Sequence, residues 1–470
     1  MDDVSWLQPP RLSDLTAFGL ICTCLVLYVT HVAWDVFFGP LSHIPGPKLW
    51  AASYIPKARM LWTGSEARTM QRLHEEYGSV VRIAPRELNY SDAAAWKDIY
   101  GHKYGDKTRT FEKDTKHYVG NPNKPRDILT ATGAVHIRHR RVLANSFSDK
   151  ALRDQEPLLK RWAGLMVLKL KEVAVSGEAV DIVAFYNFTT FDMMSDLTFG
   201  EPLNMLASSK YNPWVRTIFG SIKAITKLIA LKQFALVPWL LANIVPESAH
   251  VKAGDAKSGM SLGEMYANAA IFMLGGTETT ATLLSGLTYY LLINPDKMAK
   301  LVAEIRGTFA SESDITVDEL ARLTYLKACI EEGLRMYPPV PGSLPRKVPE
   351  GGALVAGQWI PGDVTVAISN WTINHSAINF RHHDRFVPER WTGDSEYASD
   401  NRAACQPFST GSRNCIGKNL AYHEMRLLLS MTLFHFDLTL EEESKDWSDQ
   451  KVYLLWDKKP LMVRLKAVRS

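Results

Sequence analysis

Apolar residues along the chain recur mostly on a helical period, and the first apolar run is the longest. From Leu15 to Trp34 there is no Asp, Glu, Lys or Arg, and one His. At about 1.5 Å per residue, such a helix crosses a ~30 Å hydrocarbon core. A cleaved signal peptide is the competing reading, but no small-residue cleavage site follows. Lys48, Lys57 and Arg59 come after the run, against Arg11 with Asp2, Asp3 and Asp14 before it. That excess of Lys and Arg on the C-terminal side predicts a lumenal tail over 1–14, a transmembrane anchor over 15–34 and a cytosolic body. Residues 35–48 read as a proline-rich hinge. The prolines of Ile44-Pro45-Gly46-Pro47 cannot continue a helix and are expected to stop the anchor.

Beyond the hinge the pattern predicts a mainly α body with a minor β region. Helices are expected over residues 133–173 and 187–200, and short strands at 80–83 and within 353–366. The strongest helix runs over 261–293. Ser261 and Glu264 have capping-box spacing at its start, and Asn294-Pro295 stops it. Thr316 and Glu319 repeat that spacing and open a helical region reaching Met336 before Pro338-Pro339.

Composition narrows the function. With 46% hydrophobic residues, 470 positions are ample for a large core, and no linker divides residues 49–470. A net charge of +4 without extended basic tracts gives no argument for nucleic acid. The five cysteines are an odd number without zinc-finger spacing, so they form neither a disulfide framework nor a structural zinc site.

One cysteine stands apart. In Phe408-Ser409-Thr410-Gly411-Ser412-Arg413-Asn414-Cys415-Ile416-Gly417, Gly411 permits a tight turn and Arg413 places a cation two residues from the thiol. A helix is expected from Ile416 onward, which puts Cys415 just ahead of a helix N-terminus, where thiolate is favoured over thiol.

This string resembles the haem-binding signature Phe-x-x-Gly-x-Arg-x-Cys-x-Gly of the cytochrome P-450 family, and other segments follow in the family's order. The resemblance implies a triangular, mainly helical fold with an N-terminal transmembrane helix. Haem (iron protoporphyrin IX) would take Cys415 as its axial ligand. Phe408 is similar to the aromatic beside the thiolate. Arg413, Arg346, and His136 with Arg140 are similar to haem-propionate partners, with His136 where a Trp is common. Gly275-Gly276-Thr277-Glu278-Thr279-Thr280 resembles the oxygen-activation segment. There Thr279 would bond the distal oxygen and Glu278 relay protons. Close helix packing would also explain the two glycines. Glu332 and Arg335, with Arg390 of Phe386-Val387-Pro388-Glu389-Arg390-Trp391, resemble the buried network on the thiolate side.

The implied activity is insertion of one atom of O₂ into a lipophilic small molecule, in the manner of fungal microsomal members that tailor terpenoids and polyketides. Electrons would come from NADPH through a separate flavoprotein reductase, possibly with cytochrome b5, at the endoplasmic reticulum membrane. Arg138, Arg141 and Lys418 are expected to face that partner. The substrate pocket is expected near 104–128, 271–279 and 340–344. A haem-thiolate isomerase or dehydratase and an inactive truncated remnant are the alternatives. One departure stands out: between Pro246 and Met260 lie Glu247 to Gly259, where similar chains carry a longer segment. This is an apparent deletion within the catalytic domain.

Overall fold

A computed structural model describes residues 12–102, 111–118, 125–234 and 259–469. The anchor helix α1 spans Leu12–Phe37, longer at both ends than the charge-free run. Its side chains point outward: Phe18, Leu20, Ile21 and Leu27 are 65–68% exposed, as a lipid-facing surface requires. The helix stops at Phe37, ahead of Gly39-Pro40, rather than at Pro45. Its last turn is docked. Arg82, 1% exposed, donates to the Asp35 carboxylate at 2.5 Å and to the Asp35 carbonyl at 3.3 Å. Leu41 and Ile44 are buried beyond it, so residues 35–48, expected as a hinge, are packed on the body.

The expected helix over 133–173 is two helices, α2 (Gly133–Ala144) and α3 (Asp149–Ser176). The break falls at Ser148, whose side chain accepts from the Ala151 N–H and restarts the helix as an N-cap. Helix α4 (Ile182–Phe199) begins before the expected 187, because Asp181 caps it by accepting from Val183 N–H at 3.0 Å. Helix α5 spans Pro213–Leu231. The long helix α6 (Leu262–Leu292) has both bonds of the Ser261–Glu264 capping box. Helix α7 (Thr324–Met336) is separate from a short turn of helix at Val317–Arg322. There the Thr316 hydroxyl accepts from Glu319 N–H, but the Glu319 carboxylate turns to Arg322 at 2.7 Å, so the second capping box is half formed. Helix α8 (Lys418–His435) follows the cysteine loop as expected.

Helix α6 runs through the core. From Thr280 to Leu291 it is buried, packing along α4 and against α7 and α8. Helix α4 and the second half of α6 are apolar on every side, and both are buried on every side.

The β component positions cations. Strands β1 (Val80–Ala84), β2 (Glu87–Tyr90), β3 (Glu112–Lys113), β4 (Arg346–Lys347) and β5 (Thr365–Ile368) form one sheet in the order β1-β2-β5-β4-β3. The region over 353–366 thus resolves into a hairpin, Ala353–Val355 with Gln358–Ile360, and the separate strand β5. Strands β3 and β4 pair antiparallel with Lys113 opposite Arg346.

Candidate functional site

The cysteine loop is shaped by its backbone. Gly411 has φ 74°, and a Cβ there would strike the Tyr100 carbonyl, so only glycine fits. Cys415 N–H donates to the Phe408 carbonyl at 2.9 Å, closing the loop. Arg140 clamps it from α2, donating to the Asn414 carbonyl and the Asn414 side-chain oxygen, both at 2.5 Å. Cys415 is a free cysteine at an exposed position, whereas Cys329 and Cys405 are buried. Burial by surrounding protein pushes the Cys415 thiol up, while the Gly417 N–H, Arg140 and Lys418 pull it down. Arg413, expected to supply that cation, turns away to the Ala131 carbonyl at 2.8 Å and Glu112 at 3.2 Å. Phe408 is half-buried beside Tyr422, with ring centroids 5.3 Å apart.

Cations gather near the loop with too few anions. His136 is 6% exposed and its pKa is held at about 3, first by burial and then by Arg413, Lys113, Arg140 and Arg346. Lys113, brought opposite Arg346 by strand register, is lowered to about 6 by burial and by Arg346 and Arg413. Arg346 is 4% exposed, and its Nη1 has no hydrogen-bond partner. Buried basic groups that suppress one another's charge, His136 and Lys113 beside the cations Arg346 and Arg413, call for anionic partners. The residues present therefore fit haem, which brings an iron for the thiol and two propionates for the cations. Of the residues expected there, His136, Arg346 and Arg413 lie in this cluster, and Arg140 acts on it too while its guanidinium is held by Asn414. Lys113 carries no motif, and only the strand register reveals it.

Helix α6 approaches the loop through Phe147. Its ring meets Phe272 with centroids 5.7 Å apart, and a Cβ on Gly417 would lie 3.7 Å from it. The adjacent glycines of α6, Gly275 and Gly276, differ. A Cβ on Gly276 would run into the Met194 side chain, so close packing explains that glycine; a Cβ on Gly275 would meet nothing within 4 Å. Thr279 is half-buried and its hydroxyl donates to the Gly275 carbonyl at 2.6 Å. Glu278 is 3% exposed and faces elsewhere. It pairs with Lys458 at 2.6 Å, and its Oε2 is buried without a partner. With Asp181, Tyr211, Lys223 and Asp457 it lines a cavity of about 440 Å³ between α5, α6 and the C-terminal strands. Of the expected pocket-lining positions only Glu278 borders this charged cavity, and residues 104–110 and 119–124 lie outside the described residues.

The expected buried network is assembled in full. Glu332 accepts from Arg335 Nε at 2.9 Å and Nη2 at 2.7 Å, Arg390 Nε at 3.1 Å, Val387 N–H at 2.8 Å and Trp391 Nε1 at 2.8 Å. Glu332, Arg335 and Arg390 are fully buried. Burial raises the Glu332 pKa, but the two guanidiniums and the Val387 N–H outweigh it and hold the carboxylate below its usual range. Asp400 pairs with Arg390 on the far side.

Of the cations expected to face a redox partner, Arg138 is committed elsewhere. It forks onto Glu264 of the α6 capping box at 2.6 and 3.0 Å. Arg141 and Lys418 are exposed.

A mainly helical body with one exposed cysteine at a helix start, beside buried basic groups short of anions, fits the haem-thiolate class of protein. The cytochrome P450 family model matches residues 44–253 and 247–465. Cytochrome P450 monooxygenase efuB of Hormonema carpetanum is 50% identical over 487 residues, covering 96% of each chain. Averantin hydroxylase of Dothistroma septosporum is 41% identical over 98% of this chain and 94% of its own. Versicolorin B desaturase of the same organism is 38% identical over 97% and 95%. This chain belongs to the cytochrome P450 family of monooxygenases, and membership implies a haem-thiolate cofactor. The 487-residue alignment is longer than the 470 residues of this chain, so some positions of that relative have no counterpart here. The two matched stretches of the family model overlap at 247–253.

Proposed function

We propose that this chain is a reductase-dependent monooxygenase of a lipophilic secondary metabolite, a terpenoid or polyketide, held at the endoplasmic reticulum membrane by α1. The observation that carries the reading is the exposed Cys415 at the start of α8, next to the cluster of His136, Lys113, Arg346 and Arg413. Cys415 would ligate iron, and those cations would hold the carboxylates of the macrocycle. Arg140 would act through Asn414, fixing the loop that presents the thiolate. Haem so bound supplies the activation of O₂: with two electrons from NADPH and two protons, one oxygen atom enters a C–H bond and the other leaves as water. Relatives named as a hydroxylase and a desaturase set the range of outcomes for the same oxidising site.

The chain's own part is proton supply and positioning. Thr279, beside the open space at Gly275, would hold a proton for the oxygen side. Glu278, on the side of the charged cavity, would take protons from solvent once released by Lys458. Because the two groups face different sides of α6, the hand-over has to pass around the helix at Gly275, where no side chain stands in the way.

Two results test this reading. Cys415→Ser should abolish the ferrous–carbon monoxide band that marks thiolate ligation; a variant that keeps the band has another ligand. Thr279→Ala should still load haem yet lose roughly tenfold or more in product formed per NADPH, with the ~10²–10⁴-fold of a full general acid–base contribution as the upper bound. The measurement is product by mass spectrometry against NADPH consumed and peroxide released. Unchanged coupling would place the proton path on another group. A metabolite panel in the same assay identifies the substrate.

A further inference from the structure

Glu424 on α8 is buried, at 1% exposure, and neither the ligand loop nor the Glu332 network uses it. Its Oε2 accepts from the Thr280 hydroxyl of α6 at 2.9 Å, and its Oε1 is buried with no partner. Among the described residues no cation offsets the carboxyl: burial raises its pKa to about 8, with the Thr280 hydrogen bond the opposing influence. An acid in such a place costs stability, because its charged form is excluded and its neutral form leaves an oxygen unsatisfied.

Thr280 does not need that acid. Along α6 the neighbouring hydroxyls satisfy themselves on the carbonyl one turn back: Thr277 on Met273 at 2.5 Å, Thr279 on Gly275 at 2.6 Å and Ser285 on Ala281 at 2.6 Å. Thr280 could bond the Gly276 carbonyl in the same way, yet its hydroxyl leaves the helix for α8. Thr282 and Thr288 also turn outward, to Glu278 with Lys458 and to Tyr186, but the Thr280 bond is the one that falls next to Thr279 and one turn after Gly275 and Gly276. It ties that turn to the helix that starts three residues after Cys415.

We propose that Glu424 is a positioning residue for oxygen activation: by holding Thr280 it fixes the rotation of α6 at the glycine pair, and so the direction of the Thr279 hydroxyl relative to the thiolate helix. This rests on the reading of Thr279 given above. Thr280 is the transmitting group and Thr279 the reacting one, so the latch acts on coupling rather than on haem binding or substrate affinity.

The test uses the full-length holoenzyme with its reductase. Thr280→Val keeps shape and burial but cannot donate. It should lower product per NADPH about tenfold, less than the ~10²–10⁴-fold of a lost general acid because the reacting Thr279 remains, with peroxide rising in compensation and KM and the carbon monoxide band unchanged. Thr280→Ser, which can still donate, should restore coupling. Glu424→Asp shortens the latch by a methylene and should uncouple several-fold while loading haem; it also serves if Thr280→Val fails to fold. Coupling at the wild-type level in Thr280→Val, or in Glu424→Asp where Thr280→Val does not fold, would overturn the proposal, whatever the change in melting temperature. Thr279→Ala in the same assay separates the two readings. If it stays coupled, the Thr279 assignment fails; if it uncouples while the latch variants do not, only the role of Glu424 fails.

Discussion

Glu332→Ala is expected to yield almost no folded, haem-loaded protein. The substitution removes the acceptor for five donor contacts and leaves two fully buried guanidiniums short of charge, Arg335 with no carboxylate and Arg390 with Asp400 alone. Breaking a buried ion pair from one side costs about 3–5 kcal/mol, and here Arg335 loses its carboxylate while Arg390 keeps only Asp400, so the loss approaches the lower end of the ~5–15 kcal/mol that holds a whole domain together. Arg335 keeps carbonyl acceptors at Asn374, His383 and Arg385, which hold it in place but do not neutralise it. The pH dependence has the matching sign. Because the folded-state pKa of Glu332 is depressed, its contribution is complete above the usual carboxylate range and is lost as pH falls through the lowered value. The checks are the haem-to-protein ratio after expression and the unfolding temperature between neutral and acid pH. A Glu332→Ala variant that loads haem fully and melts within a few degrees of the parent would show that the network is dispensable.

The second large effect concerns the short segment between Pro246 and Met260. We propose that a piece present in relatives is missing there, consistent with the long alignment and the two stretches in which the family model matches. Restoring a family-length segment is expected to raise the yield of soluble holoenzyme several-fold. The flanking helices show what is uncovered. On α5, Trp214 is 43%, Ile225 37% and Leu231 42% exposed; at the start of α6, Leu262 is 61%, Met265 45% and Tyr266 67% exposed. Full burial of one large apolar side chain is worth about 1.5–3 kcal/mol, so a segment covering even a few would shift the folding balance decisively. The same loss is expected to bare apolar surface around 219–241. Phe219 is half-buried against the core, and residues 235–241 lie outside the described residues. Expression of both forms side by side, scored by haem content and cooperativity of unfolding, decides the matter. Full haem loading and a single sharp transition in the 470-residue form would refute it.

What the sequence alone determined is local or repetitive. Its charge-free run defined α1, the Ser261–Glu264 pair placed the start of α6, and Phe408 to Gly417 carries turn, thiol and helix start within one contiguous string. In each case the interacting groups are close along the chain, so spacing carries the geometry. Glu332 and Arg335, one helical turn apart, were legible for the same reason. The tertiary structure decided the rest, because partners far apart in sequence meet only through strand register and helix rotation. Lys113 lies opposite Arg346 because β3 pairs with β4. Arg140 reaches Asn414, and Arg138 reaches Glu264, because α2 crosses both the cysteine loop and the start of α6. Glu278 and Thr279 are adjacent in the chain, yet about 100° of rotation about α6 separates them, sending one to Lys458 and leaving the other beside the open face at Gly275. No periodicity or motif distinguishes Thr280 from its neighbours; only the packing of α8 against α6 shows that its hydroxyl is drawn out of the helix to Glu424.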